Sequence, residues 1–356
     1  MNNITVLKTI DSVLGRALAV MLPAVRKKPH RCLKSPQSAL IIRPGGIGDA
    51  VLLIPAIEEL KKKYPDLKTD ILCEKRNSGI FTIYTGVNKL YLYDKATDLL
   101  NCFKNSYDII IDTEQWHRLS ALLSYFMKAA IKVGFNTNER GKFFTHKTDY
   151  SHDTYEADSF LSLITTITGK DYKFTTDVPF LNSPAHPESH LYGNYVCIFP
   201  GATVKERRWG GHNYAKTAKT IMDMGFNVVI LGGKSDTADA DIIMQQCTGA
   251  VNYCARTTLK ETAMLLKGSR ALITADSGLL HLAAALGVPT VSLFGSGIEK
   301  KWGPKGKIHA ILNRNLPCSP CTKFGYTPAC KFAQKCIREI TVNDVLDQLR
   351  LITTAS

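Results

Sequence analysis

Residues 39–49 read Ala39-Leu40-Ile41-Ile42-Arg43-Pro44-Gly45-Gly46-Ile47-Gly48-Asp49, an apolar run, a Pro-Gly-Gly turn and the start of a helical pattern that continues to Lys63. An unbroken apolar run that turns on glycine into a helix predicts a strand buried on both faces, as in a parallel sheet flanked by helices. The same alternation extends outward. Strands are expected at Thr69–Cys73, Lys89–Tyr93 and Asp108–Asp112, and helices at Leu119–Ala130 and Asp153–Thr168. Residues 169–194, with Pro179, Pro184 and Pro187, interrupt the pattern and read as a linker. It restarts with strands at Tyr195–Phe199, Asn227–Leu231, Val251–Cys254, Ala271–Thr274 and Thr290–Phe294, with helices at 214–224, 237–246, 259–267 and 279–286 between them. The expected fold class is α/β, two Rossmann-like halves facing a central cleft.

Composition agrees. The 356 residues, 45% of them hydrophobic, suffice for two cores and exclude general disorder. No repeat of solenoid or propeller length is present. The formal charge of +14 calls for an anionic partner, which charge alone does not name. Residues 1–38 hold seven basic side chains and one acid, Asp11, and residues 300–338 hold nine basic side chains and no acid. In the first of these stretches Ile4, Leu7, Ile10, Leu14, Leu18, Met21 and Val25 recur at helical spacing ahead of Arg26-Lys27-Lys28. This amphipathic helix reads either as lying on an anionic membrane face or as packing on the protein's own surface. Its charges rule out a bilayer span. No basic, aromatic-interleaved platform points to nucleic acid.

Three loops carry the chemistry. In the first, Gly46 and Gly48 let the backbone approach a ligand, and Asp49 reads either as a general base or as a helix cap. The second runs from Pro200-Gly201-Ala202 to Trp209. There Thr203, Lys205, Arg207 and Arg208 suit a phosphate, and a solvated basic loop is the alternative. The third is Asp276-Ser277-Gly278-Leu279-Leu280-His281, a strand end opening a helix whose first turn could hold a diphosphate. His281 equally suits a satisfied core position.

Together, Gly48-Asp49 with Pro55, the 200–209 loop and Asp276 to Ala283 resemble glycosyltransferase family 9, the ADP-heptose:lipopolysaccharide heptosyltransferases, over roughly residues 39–350. The resemblance implies a GT-B fold and an inverting transfer of heptose from ADP-heptose that requires no cofactor. Asp49 matches the base. Thr203, Lys205, Arg207, Asp276, Ser277, Gly278, Leu279 and His281 fall on the donor side, Arg207 standing where the family usually has lysine. Asp236 stands where the family often has a nucleoside-binding acid. The expected organisation is an extension over 1–38, an acceptor-binding domain over 39–175, a linker over 176–194, a donor-binding domain over 195–340 and a helix over 341–356. The acceptor would be a lipid-linked anionic saccharide, reached peripherally at the cytoplasmic face of the inner membrane. Another nucleotide sugar, a protein acceptor, or a non-catalytic sugar-nucleotide-binding role are the alternatives.

Ten cysteines, six of them scattered, suit a reducing compartment. The other four, Cys318, Cys321, Cys330 and Cys336, have the local spacing of a tetrahedral thiolate site and predict structural zinc. The family resemblance adds iron as a second metal. Two disulfides or four unligated thiols are the alternative.

Overall fold

The first apolar run forms β1 (Ser38–Arg43), and Ala39 to Ile42 are at most 1% exposed. A strand covered on both faces has no polar side to offer, so it lies inside its sheet. The computed structural model describes residues 11–25, 35–175, 178–187 and 193–354 and divides into two units after Phe174.

In the first unit β1 is flanked by β2 (Lys68–Cys73) and β4 (Ser106–Asp112). β3 (Lys89–Leu92), β5 (Lys128–Phe135) and β6 (His146–Thr148) complete an all-parallel sheet in the order β3-β2-β1-β4-β5-β6. The helix expected over 119–130 is shorter, Arg118–Phe126, because Lys128 and Ala129 pair with β4. Helix-favouring residues were overridden there by the sheet edge, a tertiary effect.

The second unit repeats the plan. β7 (Tyr195–Phe199), β8 (Asn227–Ile230), β9 (Val251–Asn252), β10 (Ala271–Ala275), β11 (Thr290–Phe294) and β12 (His309–Asn313) are ordered β12-β11-β10-β7-β8-β9, all parallel. Its core joins Val196, Ile198, Ile230 and Ile273 to Val345, Leu346 and Leu349 of the last helix, Val342–Thr354. The described part of the proline-rich stretch belongs to this unit. Phe180 and Leu181 N–H groups donate to Ala285 O, and His186 N–H to Met264 O.

Ahead of β1, Asp11–Gly15 form a π-helical turn and Arg16–Met21 an α-helix. Ala19 packs against Ala121, Leu122, Phe143 and Phe144, while Val13, Leu14, Val20 and Met21 are exposed. The helix therefore packs on the protein's own surface with one face and leaves the other apolar and open. Ile4, Leu7, Ile10 and the basic run lie outside the described residues. Among the described residues no helix is long and apolar enough to cross a membrane.

Candidate active site

In the first unit the helix after β1 starts at Ile47, two residues earlier than its apolar pattern suggested, with Gly46 as N-cap. Asp49 is thus the third helical residue and not the cap. It stands among the unpaired N–H groups of the first turn, where the helix dipole favours negative charge. Its Oδ1 is buried and has no hydrogen-bond partner. Gly48 is helical, and Gly45 carries φ +112°, a left-handed conformation that fits glycine.

Neighbouring strand ends hold this turn. Arg43, 1% exposed, donates from Nε to Pro44 O (2.6 Å) and from Nη1 to Thr113 O (2.8 Å), and its Nη2 lies 3.4 Å from Glu114 Oε2. Gly45 N–H donates to Glu74 Oε1 at 3.1 Å, and Asn77 Nδ2 donates to Arg43 O. Glu114 Oε1 in turn accepts from the N–H groups of Gln115, Trp116 and His117. Burial pushes the Glu114 carboxyl up, but Arg43, His117, Arg140 and the Trp116 N–H together hold it below the usual carboxylate range. Beside the turn opens a pocket lined by Gly45, Glu74, Arg76, Glu114, His117 and Asp11 among others. Sequence reading missed Asp11, Glu74 and Glu114 because each meets a partner remote in the chain: Leu119, Gly45 and Arg43.

In the second unit the loop after β7 and the end of β10 come together. Arg207 Nη1 stands 2.9 Å from Asp276 Oδ2, with side chains 19% and 5% exposed. Burial raises the Asp276 carboxyl above its ordinary range, with Arg207 opposing. Arg207 Nε is buried without a hydrogen-bond partner, so part of the guanidinium is still unused. Ser277 caps the helix Gly278–Ala285, its Oγ accepting from Leu280 N–H. Leu279 and His281 are buried, and the His281 ring meets Trp302 edge-on at 6.3 Å, a packed position. Thr203 and Lys205 are exposed on the loop. Arg208 reaches Asp236 Oδ1 at 3.1 Å, and Gly233 N–H donates to Asp236 Oδ2, so Asp236 is engaged within its own loop.

The cysteine segment does not show the expected metal site. Cys318, Cys321, Cys330 and Cys336 are free thiols, and no group of three or more His, Cys, Asp or Glu among the described residues is arranged to hold a metal ion. Other contacts hold the segment. Cys321 and Thr322 N–H groups donate to Ser296 O, Cys330 Sγ accepts from Gln334 N–H, and a Cβ on Gly295 would come within 2.9 Å of Cys336 Sγ. Burial first, then the neighbouring thiols, push the Cys321 and Cys336 thiols up. The segment thereby props the Gly295-Ser296-Gly297 turn. That turn passes so close to Asp276 that a Cβ on Gly297 would fall 2.0 Å from Oδ2.

Residues 101–329 match the family described as glycosyltransferase family 9 (heptosyltransferase). Lipopolysaccharide heptosyltransferase 3 of Escherichia coli K12 is 28% identical over 285 residues, 72% of this chain and 82% of that protein. The structure of E. coli ADP-heptose lipopolysaccharide heptosyltransferase II superposes with a TM-score of 0.74 at 21% identity, covering 89% of this chain and 99% of that one. E. coli heptosyltransferase WaaC with ADP gives 0.70 at 18% identity, covering 88% and 99%. The two structures share the GT-B architecture of paired parallel-sheet domains seen here.

Proposed function

The chain belongs to glycosyltransferase family 9 and is a glycosyltransferase; from that premise we propose that it moves heptose from ADP-heptose to a hydroxyl of the lipopolysaccharide inner core, with inversion. The first unit takes the acceptor and the second the donor. The Asp49 carboxylate removes the proton as the acceptor oxygen attacks the anomeric carbon. The new C–O bond forms as the bond to the diphosphate oxygen breaks, and ADP leaves with the electron pair. The unused edge of Arg207, the Thr203 hydroxyl and the N–H groups at the start of the helix Gly278–Ala285 stabilise the charge that builds on the diphosphate. None of these steps needs a cofactor.

The observation that carries this reading is the buried Asp49 oxygen without a partner, a carboxylate placed in the first turn yet not used to cap it. Asp49 is only half-buried, but a buried carboxylate oxygen with a purely structural role would be hydrogen-bonded. Calorimetric titration with ADP, ADP-heptose and UDP-sugars tests the donor half. Binding confined to adenine nucleotides supports it, and preference for uridine nucleotides sinks it.

The acceptor would be reached from the cytoplasmic face of the inner membrane. Support comes from the exposed Val13, Leu14, Val20 and Met21 on a segment whose sequence is strongly basic. Apolar side chains beside cationic ones suit an anionic bilayer surface. Sedimentation with anionic vesicles should bring down the full chain and leave a Val20→Asp, Met21→Asp variant in solution; equal partitioning would remove the membrane assignment.

A further inference from the structure

The segment ahead of β1 reaches into the first unit through a single carboxylate. Asp11 is 4% exposed and accepts a hydrogen bond from Leu119 N–H at 2.8 Å. Its Oδ2 lies 3.5 Å from His117 Nδ1 and 4.0 Å from Arg118 Nη1. His117, Arg118 and Leu119 open the helix Arg118–Phe126, so a residue 108 positions earlier in the chain organises that N-terminus. Asp11 also lines the pocket beside the Asp49 turn, together with Arg76 and His117.

The rest of the segment is fastened independently. Lys142 Nζ donates to Leu22 O at 2.8 Å, Val25 N–H donates to Lys142 O at 2.9 Å, and Ala19 is inserted among Ala121, Leu122 and Phe143. A helix cap alone would not need an element held at three further points and aimed into a pocket.

Resting on the family 9 reading, we infer that this pocket binds the acceptor saccharide and that Asp11 forms one of its walls, a positioning residue supplied by the N-terminal extension. The lining, with the carboxylates of Asp11, Glu74 and Glu114 beside Arg76 and His117, suits a polyhydroxylated ligand that carries an acidic group only where it meets Arg76. Arg76 is paired through Nε with Glu74 at 2.6 Å, which leaves its terminal nitrogens to meet an acidic group on the sugar. Asp11 Oδ2, 3.5 Å from His117 Nδ1, orients that ring toward a sugar hydroxyl. Directly after this wall come Val13 and Leu14, both exposed. One short segment thus touches the saccharide at one end and offers apolar side chains at the other, the arrangement required by a sugar still attached to its lipid.

The test titrates the water-soluble, deacylated core oligosaccharide of a lipopolysaccharide into wild-type protein, Asp11→Asn and Asp11→Ala, by calorimetry without donor. Asparagine keeps an acceptor oxygen for Leu119 N–H and removes the charge that faces His117 and Arg118. Both variants should bind the oligosaccharide about tenfold or more weakly, the loss expected for hydrogen bonds to a charged group, with ADP affinity within about twofold of wild type. Wild-type affinity in Asp11→Asn, with thermal stability lost only in Asp11→Ala, would reduce Asp11 to a cap and overturn the inference. So would failure of the wild-type protein to bind the oligosaccharide at millimolar concentration. The ADP titration reports on the family reading separately, since its failure leaves the saccharide comparison intact.

Discussion

Arg207 Nη1 lies 2.9 Å from Asp276 Oδ2, tying the loop after β7 to the end of β10 where the diphosphate is expected. Because Asp276 is almost wholly buried, removing its partner leaves a charge without compensation. Arg207→Gln should therefore lower unfolding free energy by about 3–5 kcal/mol and abolish measurable ADP binding. Asp276→Asn keeps the shape without the charge and should cost much less stability. Urea unfolding of the two variants decides; equal losses would show that the pair is not the source of the effect.

Asp49→Asn keeps the volume of the side chain and cannot take a proton. Turnover should fall by about 10²–10⁴-fold, the usual contribution of a positioned base, while ADP affinity stays within about twofold. Loss of ADP affinity alongside activity would place Asp49 in binding instead.

A second buried pair lies in the first unit. Arg140 Nη2 and Asp112 Oδ2 are 2.9 Å apart with both side chains fully buried, and Arg140 also donates to Glu114 O behind the Asp49 turn. Arg140→Met should destabilise the chain by about 3–5 kcal/mol. The double variant Arg140→Met, Asp112→Leu should recover most of that in denaturant titrations. No recovery would mean that the Glu114 contact dominates.

Burial holds His309 down at about 4, against an unfolded value of about 6.5. Its folded pKa is the lower one, so the unfolded chain takes up a proton first as pH falls. The contribution is complete above pH 6.5 and declines from there down to about 4. His309→Gln should flatten the difference in thermal midpoint across that window. An identical slope in both proteins would exclude His309 as its cause.

The strands were legible where burial is two-sided. Asp108–Asp112 and Ala271–Thr274 announce themselves because no polar residue interrupts them, and the structure extends each by a residue or two. β12, half-buried at a sheet edge, and β5, whose first residues continue a helix-favouring run, gave no such signal. The glycine turns and the loops at 200–209 and 276–281 could be found because local chemistry marks them. Asp11, Glu74 and Glu114 could not, since their meaning arises only when β1, β2 and β4 bring distant residues together. The cysteine spacing was legible as a local cluster, and the four thiols do act on one another, but among the described residues they are not arranged as a metal site.

The two sheets have the same order read from opposite ends, with the opening strand of each unit lying beside its fourth. In both, an arginine at or after the opening strand meets a carboxylate just beyond the fourth, Arg43 with Glu114 and Arg207 with Asp276. Such correspondence is what duplication of one ancestral half would leave behind. On that view the clasp predates the division of labour: one copy became a brace for a turn, the other kept an open edge for an anion. Divergence in what the enzyme accepts would then accumulate in the connections after the first and fourth strands, while the strands drift only among apolar residues.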